Sequence, residues 1–195
     1  MSTRHEEGNR GECKKNFFQH VIASRIFCAS LSCEKYFDNA AGKSCARIEI
    51  YSAKQLEGDG KVDAKLVNPI IDAFMEVMPQ MGFPMPRRLR VYLQDRNVIS
   101  NGVTLTVGFT RQMQGKVVYN MTADTARYIA STMMFGVPVT KFNEMAQSAL
   151  REMSNMLTAR AATNFTKLGL EVDITTPELV IDEDHTIKVS DAHFL

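Results

Sequence analysis

The sequence predicts an α+β domain in which long helices lie across one antiparallel sheet. Three observations carry this. Apolar residues recur at helical spacing from Asn143 to Leu168, where Gly169 ends the run. A second helical pattern runs from Val62 to about Met81. Between and after these helices come short runs that read as strands, among them Val103–Thr110 and Gly115–Met121, joined by a turn around Gln112 to Gly115.

Each element has a local cause. Asp63 can cap the first helix, whose buried side is Leu66, Val67, Ile70, Ile71, Phe74 and Met78; Gly82 and Pro84 stop it, and Pro69 bends it mildly. Leu89, Val91 and Leu93 alternate with Arg88, Arg90 and Tyr92, a strand with one wet face and a candidate sheet edge. Thr122 caps a helix that ends at Gly136 and turns Ala126, Ile129, Ala130 and Met133 inward. After the long helix come strands at Glu171–Thr175, Glu178–Ile181 and His185–Val189. Residues 1–61 sustain neither period. They are read as an extension outside the working domain, either disordered or translated from upstream of a native start near Val62, which leaves 62–195 as the domain.

Bulk properties narrow the function. A chain of 195 residues, 45% apolar, can bury a core, and a net charge of +1 gives no long-range pull toward nucleic acid or an anionic membrane. No stretch approaches the roughly 20 apolar residues of a membrane span. The apolar middle of Phe17–Leu31 is broken by Gln19, His20, Ser24 and Arg25, so it does not read as a signal peptide and the expected location is cytoplasmic. Cys13, Cys28, Cys33 and Cys45 match neither paired C-x-x-C spacing nor a Cys/His ligand set, and they read as unpaired thiols. No phosphate-binding loop, nucleophile elbow or zinc-protease motif occurs, and the histidines (His5, His20, His185, His193) lie within residues 1–61 or near the C-terminal end, so no metal site is expected. Most methionines, such as Met75, Met78, Met133, Met153 and Met156, fall at core spacing.

The long helix carries the candidate chemistry. Ser148, Glu152 and Asn155 are separated by steps of four and three, which places them on one stripe, while Leu150, Met153, Leu157, Phe165 and Leu168 project to the other side. Ala159 and Ala162 extend the stripe with small side chains that would admit a close partner surface. By spacing alone, such a face is more often solvated surface than a site.

The run Asn143-Glu144-Met145-Ala146-Gln147-Ser148 through Asn155, with the strand-like Val172–Pro177 beyond it, resembles the CheC/CheX/FliY phosphatases of bacterial chemotaxis. Their signature is Asp or Ser, three residues, Glu, two residues, Asn, then Pro about twenty residues later. The resemblance covers about residues 62 to 190. It implies a CheC/CheX-like fold and a substrate, the phosphorylated response regulator CheY, whose aspartyl phosphate is already held by Mg²⁺ and a lysine. The chain then needs no cofactor of its own. Asn155 would orient the attacking water, Glu152 would pair with the regulator's lysine, and Ser148, Arg151 and Ala159 would contact the partner. The alternative is a non-catalytic module that binds phosphorylated CheY or the flagellar switch. The first helix holds a spoiled copy of the signature, Asp72, Glu76 and then Pro79 where the amide belongs, so one site is expected, as in single-site members of the family. The resemblance also implies a homodimer joined through sheet edges, with Leu89–Leu93 as the edge. The C-terminal strand is expected to be truncated after Ile187–Leu195.

Overall fold

A computed structural model describes residues 26–33, 46–53, 64–94, 97–113, 115–182 and 186–188. Along the chain these form β1 (Ile26–Cys33), β2 (Ala46–Ala53), α1 (Ala64–Gln80), β3 (Pro86–Gln94), β4 (Asn97–Ile99), β5 (Gly102–Arg111), β6 (Gly115–Thr122), α2 (Ala123–Met133), α3 (Glu144–Lys167), β7 (Val172–Ile174), β8 (Glu178–Asp182) and β9 (Thr186–Lys188). The main sheet has the order β3-β1-β2-β6-β5-β7, with β8 also on β5, and its pairings are antiparallel.

The core lies between this sheet and a layer of helices. Alternation on β5 sends Val103, Leu105, Val107 and Phe109 into it, and β6 adds Val117, Tyr119 and Met121. The helices answer with Ile70, Phe74 and Met78 of α1, Ala126, Ile129 and Ala130 of α2, and Leu150, Met153, Leu157 and Phe165 of α3. Leu66 and Met133 pack at the margin, half-buried. The opposite face of the β5–β6 hairpin is polar where the chain turns back. There Asn120 is fully buried, its amide donates to the Ile99 carbonyl at 3.0 Å, and its carbonyl accepts from Asn101 N–H at 2.8 Å. Both ends of that side chain are satisfied, as burial demands.

Several expectations are corrected. Residues 1–61 are not wholly an extension outside the fold, because β1 and β2 sit in the sheet between β3 and β6: β1 pairs with β3 and β2, and β2 with β6 from Ile48↔Met121 to Ala53↔Lys116. The physical reason is that these strands find partners far along the chain, which a local period does not reveal. Within β3, Leu89 and Val91 are 44% and 36% exposed, and Arg88 and Arg90 are exposed too, so both faces of this stretch are wet. The last strand, read as His185–Val189, is described as Thr186–Lys188 and belongs to a separate ribbon with β4, a strand that local pattern did not reveal. Leu168, expected on the packing side of α3, is 55% exposed because it forms the C-cap, past the last inward turn. The expectations for Asp63 as a cap, for Cys13 and Cys45, for the four histidines and for the chain after Lys188 fall outside the described residues. The side chains of Cys28 and Cys33 are likewise not described.

β7 and β8 act as one strand broken by a bulge. Both pair with β5, and the four steps from Phe109 to Leu105 are matched by the five from Ile174 to Leu179. Gly108 lies opposite the break: its N–H donates to Thr175 Oγ1 at 2.8 Å, and a Cβ there would meet Thr175 Cγ2 at 3.0 Å. Pro177, half-buried in the break, has no N–H to contribute to a ladder.

Candidate functional site

α3 is positioned at both ends. Asn143 is its N-cap, accepting from Ala146 N–H at 2.9 Å through its side-chain oxygen, and Glu144 in the first turn suits the positive end of the helix. The Gln147 amide donates back to the Phe142 carbonyl at 2.9 Å. At the other end Phe165 meets Phe109 edge to face, ring centroids 5.6 Å apart, and Asn164 donates to the Pro69 carbonyl of α1 at 3.2 Å. A helix fixed to sheet and neighbour in this way is a rigid carrier for outward side chains.

On that carrier the expected stripe is present. Helical rotation of about 100° per residue puts Ser148, Glu152, Asn155 and Ala159 within an arc of about 60°. Ser148, Glu152 and Ala159 are exposed and Asn155 is half-buried. Among the described residues neither Glu152 nor Asn155 has a hydrogen-bond or ionic partner within the chain, so a carboxylate and an amide one turn apart are both held toward solvent with their polar atoms uncommitted. Arg151 is half-buried at the border, its guanidinium 3.5 Å from the Gln147 side-chain oxygen.

The stripe ends sooner than expected. Ala162 belongs to the core, because the far half of α3 runs between α1 and β7. Ala159, with the edge of Ala162, lines a groove of about 540 Å³ whose other walls are Thr163, Thr166 and Lys167 of α3 and Val172–Ile174 of β7.

The spoiled copy on α1 differs in more than its proline. Asp72, Glu76 and Pro79 are all exposed, but the Glu76 carboxylate is taken by Arg160 of α3, Nε to Oε2 at 2.6 Å. The carboxylate that corresponds to Glu152 thus ties two helices together. Among the described residues no three of His, Cys, Asp and Glu converge as a metal site requires.

Sequence reasoning missed the polar groups beneath the stripe. Ser154 and Thr158 are fully buried on the packing side of α3. Ser154 Oγ donates to the Arg151 carbonyl at 2.8 Å, Thr158 Oγ1 donates to the Ser154 carbonyl at 2.7 Å, and the Tyr119 hydroxyl of β6 lies 2.8 Å from Thr158 Oγ1. Burial raises the Tyr119 phenol well above its ordinary pKa, only partly opposed by the Thr158 bond, so it stays a neutral hydroxyl. The available signal was two hydroxyl residues among the apolar positions of an amphipathic helix.

A family model described as chemotaxis phosphatase CheX matches residues 103–195, the stretch that holds β5, β6, α2 and α3. Over this region the chain resembles the CheX family. It is similar to the CheY-P phosphatase CheX of Thermotoga maritima, with 29% identity over 127 residues that span 65% of this chain and 82% of that relative. Two solved structures share the fold. A CheC-like superfamily protein from Shewanella sp. PV-4 aligns with a TM-score of 0.60 at 23% identity, covering 67% of this chain and 85% of its own. A CheX from Desulfovibrio desulfuricans aligns at 0.59 and 20%, covering 66% and 85%. This similarity to CheX proteins gives the carboxylate and amide on α3 a chemical context that spacing alone could not.

Proposed function

We propose that this chain hydrolyses the aspartyl phosphate of a CheY-type response regulator and so ends a chemotaxis signal. The observation that carries the reading is the outward pair, Glu152 and Asn155, held without partners among the described residues on the rigid helix of a domain similar to CheX proteins. An aspartyl phosphate is an acyl phosphate, and its transfer to water through a loose transition state chiefly requires an in-line nucleophile and neutralised charge. The regulator's own Mg²⁺ and lysine supply the neutralisation, and the chain brings no metal of its own.

The Asn155 carbonyl accepts a hydrogen bond from the water while its NH₂ faces an oxygen, which holds the nucleophile without placing a charge beside it. The Glu152 carboxylate pairs with the regulator's lysine and sets the register of docking. Ser148, Arg151 and Ala159 frame the contact. A purified-protein assay of phosphate release from phospho-CheY tests the reading: binding without accelerated release would make the chain a sequestering module instead.

Glu152→Ala is expected to weaken both steps. Losing one charge-assisted contact is worth about 1.5–3 kcal/mol, so affinity for a beryllofluoride-activated regulator should fall roughly tenfold or more, with turnover falling alongside. Titration calorimetry that returned the wild-type affinity would remove Glu152 from the docking role.

The proposal extends to a cytoplasmic homodimer joined through sheet edges. Among the described residues no helix is long and apolar enough to cross a membrane. β3 stands at one end of the main sheet's order, where Leu89 and Val91 offer apolar surface beside Arg88 and Arg90. Exposed arginines on an edge limit indiscriminate pairing and favour a specific mate. Sedimentation is expected to show a dimer at micromolar concentration, and Leu89→Lys is expected to shift it toward monomer; a wild-type monomer would end this part of the proposal.

A further inference from the structure

The hydroxyl chain under α3 points at the segment that carries the outward pair. Thr158 Oγ1 gives its single proton to the Ser154 carbonyl, so the bond between Thr158 and Tyr119 has only one possible direction: the Tyr119 O–H donates and Thr158 Oγ1 accepts. Ser154 Oγ in turn donates to the Arg151 carbonyl, the same carbonyl that receives the backbone N–H of Asn155 in a regular helix. Two hydrogen-bonded links therefore meet at Ser154, whose backbone carbonyl is held by Thr158 and Tyr119 and whose hydroxyl holds the carbonyl that receives Asn155 N–H, so the sheet is tied to the turn that carries Asn155 through the Ser154 residue itself. All three hydroxyl side chains are fully or almost fully buried.

The rest of the contact is apolar and includes Leu150, Met153 and Leu157. Such packing fixes distance well but leaves small rotations and slides of a helix cheap, whereas a directed hydrogen bond fixes both. Hydroxyls bonding back to helical carbonyls also bend a helix locally, so the curvature between Arg151 and Thr158 depends on this chain. Tyr119 lies on β6, flanked by Ile50 of β2 and Leu105 of β5, in the interior of the sheet. That makes it a fixed reference point.

We infer that Tyr119 and Thr158 are positioning residues for the hydrolysis, setting the rotation of α3 so that the Asn155 amide meets the attacking water in line. The inference rests on the proposed phosphatase reading, and a misplacement of about 1 Å in such a group can cost on the order of 10²-fold in rate. The test compares Tyr119→Phe, Thr158→Val and Thr158→Ser in the full chain. Tyr119→Phe and Thr158→Val should lower kcat for phosphate release roughly tenfold with KM for phospho-CheY within twofold of wild type. Thr158→Ser keeps both hydrogen bonds and should restore the wild-type kcat. The side-chain amide signals of Asn155 in ¹⁵N NMR should move in the two impaired variants and stay in place in Thr158→Ser.

A purely structural role predicts a lower melting temperature with kcat per folded molecule unchanged, and that result overturns the inference. If Tyr119→Phe does not fold, the Thr158 pair alone decides. If wild-type protein releases no phosphate, the phosphatase reading fails by itself, and the Asn155 amide signals then decide whether the hydroxyl chain orients this side chain. Unmoved signals would end the inference in that case.

Discussion

Asn155→Ala should abolish most of the stimulated dephosphorylation of CheY, by about 10²-fold or more in kcat, with binding of a beryllofluoride-activated regulator largely kept. A 10²-fold loss corresponds to about 2.7 kcal/mol of transition-state stabilisation, a reasonable share for the one group that orients the nucleophile when the substrate provides the rest of the catalyst. The fold should survive, since Asn155 is half-buried and among the described residues its side chain holds nothing else in place. Glu76→Ala is the matched control. It removes only the exposed bridge to Arg160, worth about 1 kcal/mol or less, and should leave turnover unchanged. Radiolabelled phosphate lost from CheY reads both variants, and a wild-type rate for Asn155→Ala would remove the amide from the mechanism.

The largest effect on stability is expected from Phe165→Ala. Phe165 is fully buried, its ring meets Phe109 of β5 at an interplanar angle of 83°, and its carbonyl accepts from Leu168 N–H at 2.9 Å and Leu170 N–H at 3.1 Å where the helix ends. Truncation leaves an aromatic-sized void between helix and sheet, at a cost of about 3–5 kcal/mol, set against a typical total of about 5–15 kcal/mol. With urea slopes of about 1–3 kcal/mol per molar, the midpoint should fall by roughly 2 M, and Phe165→Leu should recover most of that. A shift below about 0.5 M would show that α3 is held to the sheet by other contacts.

The parts of the fold that were legible are those whose cause is local. α3 was read as Asn143–Leu168 and is Glu144–Lys167 with Asn143 and Leu168 as its caps, because a capping side chain, a 3.6-residue period and a following glycine all lie within one segment. α1, the Thr122 cap of α2 and the β5–β6 hairpin were legible for the same reason. β1 and β2 were not. Ile48 and Ile50 alternate with Arg47 and Glu49, but the run is brief and its partner β6 comes more than sixty residues later, so pairing rather than pattern makes it a strand. The ribbon of β4 with β9 is a stronger case, three residues matched across almost ninety. At the site, the stripe from Ser148 to Ala159 was legible from angular spacing, while its end was not: Ala162 is covered by elements from elsewhere in the chain. Ser154 and Thr158 escaped because a hydroxyl in a helix reads as exposed, whereas here backbone carbonyls satisfy it internally.

The placement of β1 and β2 has a consequence for how the molecule is made. Among the described residues β3 pairs with the main sheet only through β1, and strands lie about 4.8 Å apart, so without this pair β3 and β6 would face each other across a gap of about 14 Å. During synthesis at about 5–20 residues per second, β1 and β2 leave the ribosome several seconds before β6 exists to receive them, and an isolated two-stranded hairpin is marginal in water. β3 emerges earlier and can cover the outer edge of β1, but until β6 arrives the outer edge of β2 stands open to any passing strand. Closure of the sheet is therefore a late event governed by distant pairings, slow by the topology of the chain, and the yield of native protein should depend more on concentration and on chaperones during that interval than the stability of the finished domain would suggest.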